Sequence, residues 1–328
     1  MPPTFASDGA SVRPDRFPIV KRRGAKLLRL LGTLRDLSSR LDDVVANQAA
    51  VTYTIARSDW TDFEQPCADA PHASRVCRQV DCRAEYLQWQ RQLGRPVAID
   101  RKDWEWAAIC RALDTAGVLA PGKRALGFGV GSEPLVAAFA SRGVEVVATD
   151  LAVEDARTSQ WVEHALRIEA LQHPAICAND TLAERVRVRA VDMNAIPQDL
   201  QGFDFVWSCC AFEHLGSIEA GLAFVERSMD CLAPGGIAIH TTEFNLDSDE
   251  ATVSEGPTVV YRSRDLHELE RRLARRGHTM SPFTNGERGP GIYDYLIDVP
   301  PKHYGTLIVR HGGYRITPAI VVARAGGG

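Results

Sequence analysis

The sequence lacks long apolar stretches and any marked excess of one charge. No run approaches the roughly 18 consecutive apolar residues that a membrane-spanning helix needs. Charged residues make up 24% of the chain and the formal net charge is −4, which gives no general attraction for nucleic acid. With 45% hydrophobic residues, the composition predicts an ordinary globular fold.

Cysteine content is unremarkable, with eight residues in a chain of 328. Cys209 and Cys210 are adjacent in a segment with the pattern of a buried strand. The first twenty residues contain no apolar core of the kind found in secretory signals. These features predict reduced thiols and a cytoplasmic location.

Four residues of metal-binding type are spaced five apart, and they are Cys67, His72, Cys77 and Cys82. Structural zinc sites usually begin with two cysteines that lie closer together than this. On a helix, positions five apart also point in different directions. The sequence therefore predicts no metal site here. The acidic run DSDE at 247–250 is likewise not predicted to bind a metal ion. It is interpreted as a solvated loop.

The N-terminal part carries one long helical pattern. Residues 1–18 are rich in Pro, Ser and Gly, which predicts a flexible arm. Two interleaved series of residues seven apart then predict an amphipathic helix over 20–51. The series are Leu27, Leu34, Leu41 and Gln48, and Leu30, Leu37, Val44 and Val51.

Three interpretations of this helix stay open. It packs on its own catalytic domain, it pairs with a second copy to form a homodimer, or its basic start contacts an anionic membrane surface. Residues 19–100 are predicted to form a helical extension that serves either as a lid or as a dimerisation element.

Strand and helix patterns alternate after residue 100. The strands are predicted at 124–129, 144–150, 186–192, 203–210 and 236–244. This alternation predicts an α/β domain over 101–328, with a doubly wound, mostly parallel sheet and helices on both faces. The segment LIVRHGGYRITPAIVVAR has two apolar runs around Gly312 and Gly313, which predicts a closing hairpin.

A glycine-rich turn, GFGVG, follows the first of these strands. Ser132 is predicted to cap the next helix, and Asp150 ends the second strand, where a carboxylate can accept both hydroxyls of a ribose. A dinucleotide fingerprint would need glycine where Ser132 or Pro134 stands. The turn therefore favours an adenosine ligand without a pyrophosphate, such as S-adenosylmethionine, over NAD.

Five segments in order carry a family resemblance, and they read ALGFGVG, VVATDL, AVDMNAIP, FDFVWSCCAFEHL and LAPGGIAIHTTEF. Residues 100–328 resemble the class I S-adenosylmethionine-dependent methyltransferases, in the branch with ubiquinone-type and many small-molecule enzymes. That resemblance implies a seven-stranded Rossmann-like sheet. The KDWEW and TTEFN segments also resemble a bacterial group associated with surface-glycan gene clusters.

The resemblance implies a set of cofactor contacts. Gly129 and Gly131 would let the backbone run close to the methionine part of the cofactor. Asp150 would hold the ribose, and Leu151 would lie against the adenine. Asp192 would accept a hydrogen bond from the adenine amino group, and Met193 would stack beside the ring. Ala211 and His214 would border the methyl group.

Two positions depart from the family pattern. Gly127 stands where the family usually has an acid, and Glu133 replaces the third loop glycine. We hypothesise that Glu133 takes over the missing charge and faces the ammonium group of the cofactor. The alternative is that Glu133 only caps the following helix.

The predicted reaction is methyl transfer to a hydroxyl of a sugar or glycan precursor. A hydroxyl has a high pKa, so a base must take its proton, and His214 is the candidate, oriented by Glu243. The alternative for His214 is a packing or capping role. Asn245, Tyr261 and Arg262 are predicted to contact the acceptor.

Other acceptors and other functions stay open. N- or C-methylation of a small molecule is the main alternative, and a methyltransferase-fold module that binds without catalysing is another. Nucleic acid is not an expected partner, because the strand before His214 is followed by SCCAFEH rather than by the NPPY-type motif of base-amino methyltransferases.

Overall fold

The computed structural model describes residues 18–57, 72–79, 84–95, 99–152, 167–286, 292–298 and 306–327. The predicted flexible arm, apart from its last residue, lies outside these ranges, as do Cys67 and Cys82 of the rejected zinc pattern. The chain divides into two compact units, the first ending at Val45 and the second running from Ala46 to Gly328.

Seven helices lie in the described ranges. They are α1 (Pro18–Arg57), α2 (Ala84–Gln92), α3 (Arg101–Thr115), α4 (Leu135–Ser141), α5 (Asn179–Arg185), α6 (Ile218–Ser228) and α7 (Ser263–Arg275). Nine strands accompany them in the same ranges. They are β1 (Arg75–Val76), β2 (Arg124–Phe128), β3 (Glu145–Asp150), β4 (Val186–Ala190), β5 (Phe203–Cys209), β6 (Leu232–Asn245), β7 (Thr279–Met280), β8 (Val309–His311) and β9 (Tyr314–Arg324).

The strands form one mixed sheet with the order β1-β9-β6-β5-β2-β3-β4. Strands β2 to β6 pair in parallel, and β9 is antiparallel to β6. This confirms the predicted doubly wound, mostly parallel architecture. The sheet has nine strands rather than seven because two short strands outside this order, β7 and β8, also pair with β9.

The sheet is covered on both faces, as the alternation of side chains along β5 shows. Phe205 and Trp207 enter a core that includes Leu113 of α3, while Val206 enters a second core with Phe224 of α6. Helices on both faces leave the carboxyl ends of the parallel strands as one common edge. Ligands of doubly wound sheets bind at that edge, beside the point where strand order reverses.

Part of the predicted N-terminal extension belongs to the second unit. Strand β1 pairs with Ala319 and Ile320 of β9, and α2 packs beside α3. Residues 72–95 therefore lie in the same unit as the predicted methyltransferase domain.

Helix α1 is present and is longer than the predicted 20–51. Four apolar side chains in its described part are exposed, with accessible fractions of 55% at Leu30, 52% at Leu34, 52% at Leu37 and 64% at Leu41. The three interpretations of this helix stay predictions. No helix among the described residues is long and apolar enough to cross a membrane.

The helix after the glycine-rich turn begins later than predicted. Glu133 N–H donates to Val130 O at 3.1 Å and closes a turn, so Ser132 lies inside that turn and does not cap a helix. Pro134 is the N-terminal cap of α4, and no side chain bonds to that end of the helix. The prediction of Ser132 as the cap was therefore wrong.

Candidate active site at the carboxyl ends of the parallel strands

The glycine-rich turn brings three predicted cofactor contacts together. Gly129 and Gly131 have φ values of 59° and 50°, a region that favours glycine. A Cβ on Gly129 would lie 2.8 Å from the Cβ of Ala211 and 3.5 Å from the Sδ of Met193. Glycine is therefore needed for the loops after β2, β4 and β5 to approach one another, which brings these predicted cofactor contacts to one place.

Asp150 is held at the end of β3 by two backbone donors. Gly131 N–H donates to Oδ2 at 2.9 Å, and Leu151 N–H donates to Oδ1 at 2.8 Å. Each carboxylate oxygen has more than one lone pair, so these bonds fix the group and leave it able to accept ribose hydroxyls. The arrangement fits the predicted ribose contact.

The loop after β4 is tied to the same edge. Val191 N–H donates to Asp150 O at 2.8 Å, and Asp192 Oδ1 accepts from Asn194 N–H at 2.8 Å. Met193 is buried beside this turn. The predicted adenine contacts Asp192 and Met193 thus follow directly on the predicted ribose contact.

Trp207 of β5 explains why Gly127 lacks the family's usual acid. A Cβ on Gly127 would lie 2.6 Å from the Trp207 ring atom Cη2 and 2.6 Å from Val130 Cγ1. The indole N–H donates to Glu133 Oε1 at 2.7 Å. The indole therefore fills the space that an acid at position 127 would need. The carboxyl group of Glu133 lies at the N–H edge of the same indole.

Glu133 is buried, and burial raises the pKa of its carboxyl to about 8. Its side chain bonds to Trp207 and not to the start of α4, so a simple capping role is not what the contacts show. The predicted contact with the cofactor ammonium stays a hypothesis.

Helix α3 supplies charged groups that the sequence analysis did not assign to the site. Glu105 is fully buried, and its Oε2 accepts from the Thr241 hydroxyl at 2.6 Å and from the Cys209 thiol at 3.5 Å. Lys102 Nζ lies 3.6 Å from Glu105 Oε1. Arg101 forms an ion pair with Glu243 of β6. The sequence does contain a signal for these groups, because Arg101 and Glu105 are four residues apart and therefore lie on one face of the helix.

His214 lies on a single 3₁₀ turn, Phe212–His214, after β5. Its Nδ1 lies 2.9 Å from Pro257 O, and its Nε2 lies 3.9 Å from Glu213 Oε1. Glu243 instead contacts Arg101 and the Cys210 thiol. The predicted orientation of His214 by Glu243 is therefore corrected: the neighbouring carboxylate is that of Glu213, the adjacent residue, because Glu243 is turned toward α3.

His240 of β6 lies inside the protein and takes no part in this arrangement. Its ring nitrogens contact the hydroxyls of Ser208 and Ser228 at 2.8 Å and 3.2 Å. Burial lowers its pKa to about 3, which keeps the ring neutral.

The three predicted acceptor contacts have structural roles. Tyr261 is fully buried, and its hydroxyl donates to Phe212 O at 3.4 Å. Arg262 donates to Asp265 through its backbone N–H and its guanidinium at the start of α7. Asn245 accepts from two backbone N–H groups of the following turn and donates to Ala251 O. These contacts give all three side chains a structural role, and their contact with an acceptor stays a prediction.

Comparison with known proteins identifies the domain. Residues 126–240 match the family described as a methyltransferase domain. No curated protein matches the chain. Many solved structures resemble the fold.

Three of these structures are methyltransferases. The chain is similar to magnesium protoporphyrin IX methyltransferase from Synechocystis PCC 6803, at 12% identity over 73% of this chain and 94% of that chain, with a TM-score of 0.42. It is similar to 1,6-didemethyltoxoflavin-N1-methyltransferase from Burkholderia thailandensis, at 19% identity over 66% and 76%, with a TM-score of 0.38. A methyltransferase from Streptomyces caelestis gives 14% identity over 66% and 88%, with a TM-score of 0.36.

The match covers β2 to β6, which carry the glycine-rich turn, Asp150, Asp192 and His214. Residues 126–240 therefore form a methyltransferase domain, and S-adenosylmethionine is its predicted cofactor. The predicted residues of the cofactor site lie at one edge of the sheet, while their individual roles stay predictions.

Proposed function

We propose that this enzyme transfers the methyl group of S-adenosylmethionine to a hydroxyl of a sugar or glycan precursor, with His214 as the general base. The observation that carries the proposal is the pair of contacts at the His214 ring. Nδ1 lies 2.9 Å from Pro257 O, and Nε2 lies 3.9 Å from Glu213 Oε1.

These contacts favour one protonation state of His214. A carbonyl oxygen can only accept, so Nδ1 carries the hydrogen and donates a hydrogen bond to Pro257 O, and the Thr258 hydroxyl, 3.2 Å from the same nitrogen, is a second acceptor. Nε2 of the neutral ring then has a lone pair for the acceptor proton. S-adenosylmethionine would supply a methyl group activated by its sulfonium, and Nε2 would take the proton that the acceptor hydroxyl loses in the transfer. The Glu213 carboxylate stabilises the imidazolium that results.

The polar lining supports an acceptor with several hydroxyl groups. The carboxylates of Glu213 and Glu243 can accept hydrogen bonds from hydroxyls, and Arg101 can donate to their oxygens. The resemblance of the KDWEW and TTEFN segments to a glycan-associated group points to the same class of acceptor.

An amine acceptor is the second candidate, and the local charge favours it. Three buried carboxylates, on Glu105, Glu213 and Glu243, lie at this edge of the sheet near two cationic side chains of α3, Arg101 and Lys102. An excess of carboxylates attracts a cationic amine before it loses its proton to a base.

The test is formation of S-adenosylhomocysteine in the presence of sugars, nucleotide sugars and small amines. With the best hydroxyl acceptor, His214→Gln should lower the rate by roughly 10²- to 10⁴-fold and leave calorimetric binding of S-adenosylmethionine unchanged. His267→Gln, at an exposed histidine of α7, is the matched control and should keep the wild-type rate. Turnover of amines alone, or an unchanged rate in His214→Gln, would overturn the proposal.

A further inference from the structure

Three metal-ligating side chains converge at the ends of β5 and β6. The donor atoms of Cys210, Glu213 and Glu243 all lie within 4.8 Å of one another. We propose that these residues form a binding site for a divalent transition-metal ion of the zinc class. The inference goes beyond the methyl-transfer proposal and does not depend on the acceptor.

Two of the carboxylate oxygens point to a ligand. Glu213 is 0% exposed and Glu243 is 7% exposed. Within the described ranges, Glu213 Oε1 and Glu243 Oε2 are buried and accept no hydrogen bond. A buried carboxylate oxygen without a partner is unfavourable by several kcal/mol in an apolar medium, so such groups are usually paired or bind a metal. A cation between the two acids satisfies both oxygens.

Cys210 is held in a position that suits a third ligand. Its φ of 49° is the left-handed value that side chains rarely adopt, and such strain concentrates at functional sites. Its N–H bonds to Thr241 O at 3.1 Å, and its thiol donates to Glu243 Oε1 at 3.7 Å. Tetrahedral zinc–sulfur and zinc–oxygen bonds place neighbouring ligand atoms about 3.5 Å apart. Cys210 and Glu243 therefore need little movement to share an ion.

The charges balance when the ion binds. Two carboxylates and the Arg101 guanidinium leave one net negative charge while the Cys210 thiol keeps its proton. A divalent ion that displaces this proton makes the group neutral, since it adds two charges and the thiol releases one proton to solvent. Lys102 is paired separately with Glu105.

The donor set selects the class of metal. A thiolate is a soft ligand that favours zinc and similar transition metals, whereas magnesium and calcium prefer oxygen ligands alone. Metal ligation leaves the Thr242 hydroxyl on Glu213 Oε2 in place, because each carboxylate oxygen has further lone pairs.

The test is metal binding by the full chain after treatment with a chelator and removal of that chelator. Wild-type protein should bind one equivalent of Zn²⁺, measured by mass spectrometry of the metal after gel filtration. Co²⁺ in its place should give a thiolate-to-metal charge-transfer band. Cys210→Ser should abolish the band, and Glu243→Gln should weaken Zn²⁺ binding at least about tenfold, which is a 1.4 kcal/mol change.

Cys177→Ser is the matched control, since it removes a buried thiol outside this cluster and should retain both metal and band. Glu213→Gln provides a second ligand variant if Cys210→Ser does not fold, and proton release on Zn²⁺ binding reports on the thiol in unaltered protein. The inference is wrong if wild-type protein binds no Zn²⁺, or if the charge-transfer band survives in Cys210→Ser. Because binding is measured without an acceptor, this result is separate from any failure of the methyl-transfer proposal.

Discussion

The indole N–H of Trp207 donates to Glu133 Oε1 across 2.7 Å, inside the core beneath the glycine-rich turn. This bond links the two departures from the family pattern. The indole occupies the space beside Gly127, and the acid that is absent from Gly127 has its counterpart in Glu133. The two unusual residues therefore belong to one local arrangement built around Trp207.

We expect Gly127→Ala to destabilise the protein. The new methyl group would lie 2.6 Å from both Trp207 Cη2 and Val130 Cγ1, and neither group can move freely in a packed core. Overpacking of this kind costs about 1–3 kcal/mol, measured as the free energy of unfolding in urea. In a Trp207→Phe background the cost should be smaller, because the indole atoms that clash are gone and only the contact with Val130 remains. Gly32→Ala is the control, since nothing lies within 4 Å of that position.

Titration of the Glu133 carboxyl should make the free energy of unfolding fall as pH rises. The unfolded carboxyl titrates at 4.5 and the folded one at about 8, so between these values the folded chain keeps a proton that the unfolded chain has lost. The free energy of unfolding then decreases by at most about 1.4 kcal/mol per pH unit. Glu133→Gln should flatten this slope in urea titrations across the window. Glu145→Gln, at an exposed acid, should leave the slope as it is in wild-type protein.

Cofactor binding tests the hypothesis that Glu133 faces the ammonium group. We expect Glu133→Gln to weaken S-adenosylmethionine binding about tenfold or more in calorimetry, because a cation loses its counter-ion. Wild-type binding should also release a proton below pH 8, since the ammonium favours the ionised acid. Affinity equal to wild type would contradict the hypothesis and leave Glu133 as a partner of Trp207 alone.

The sequence was sufficient for the parallel strands, the hairpin and the cofactor loops, because each of these follows from a local pattern. Alternation of strands and helices predicts the sheet, and glycine with a following strand acid predicts the turn. Gly129, Met193 and Ala211 could be brought together through the resemblance, since each follows its own strand. The short strands β1 and β7 were missed because two residues carry no periodicity.

The chemistry on the acceptor side could not be predicted from local patterns. Arg101 and Glu243 are 142 residues apart, so their ion pair depends on how α3 packs against β6. Tyr261 follows two valines and looks like a surface residue near a loop, yet the packing of α6 and Phe212 buries it. Long-range packing decides which polar residues reach the site.

The closing hairpin offers a matched pair of glycines. Both have positive φ, 57° at Gly312 and 90° at Gly313, as the two-residue turn requires. A Cβ on Gly312 would collide with Val253 Cγ2, whereas nothing lies within 4 Å of Gly313. Gly313→Ala should cost about 1–2 kcal/mol from backbone conformation alone, and Gly312→Ala should cost more. Val253→Ala should recover the excess in a double-mutant cycle, and equal costs for the two glycines would contradict the clash.

We expect helix α1 to pair with a second copy of the chain. The exposed side chains of Leu30, Leu34, Leu37 and Leu41 fall in the two interleaved seven-residue series, a pattern that fits a coiled coil. Light scattering should give twice the mass of one chain, and the double variant Leu34→Asp with Leu37→Asp should give the mass of one. Leu31→Asp is the control, because Leu31 is 49% exposed but lies outside both series, so this variant should remain a dimer.

A wild-type monomer, or a dimer that survives the double variant, would exclude pairing through this face. Salt-sensitive binding of that monomer to anionic vesicles would instead favour the membrane interpretation, because basic residues at the start of the helix would then supply the attraction.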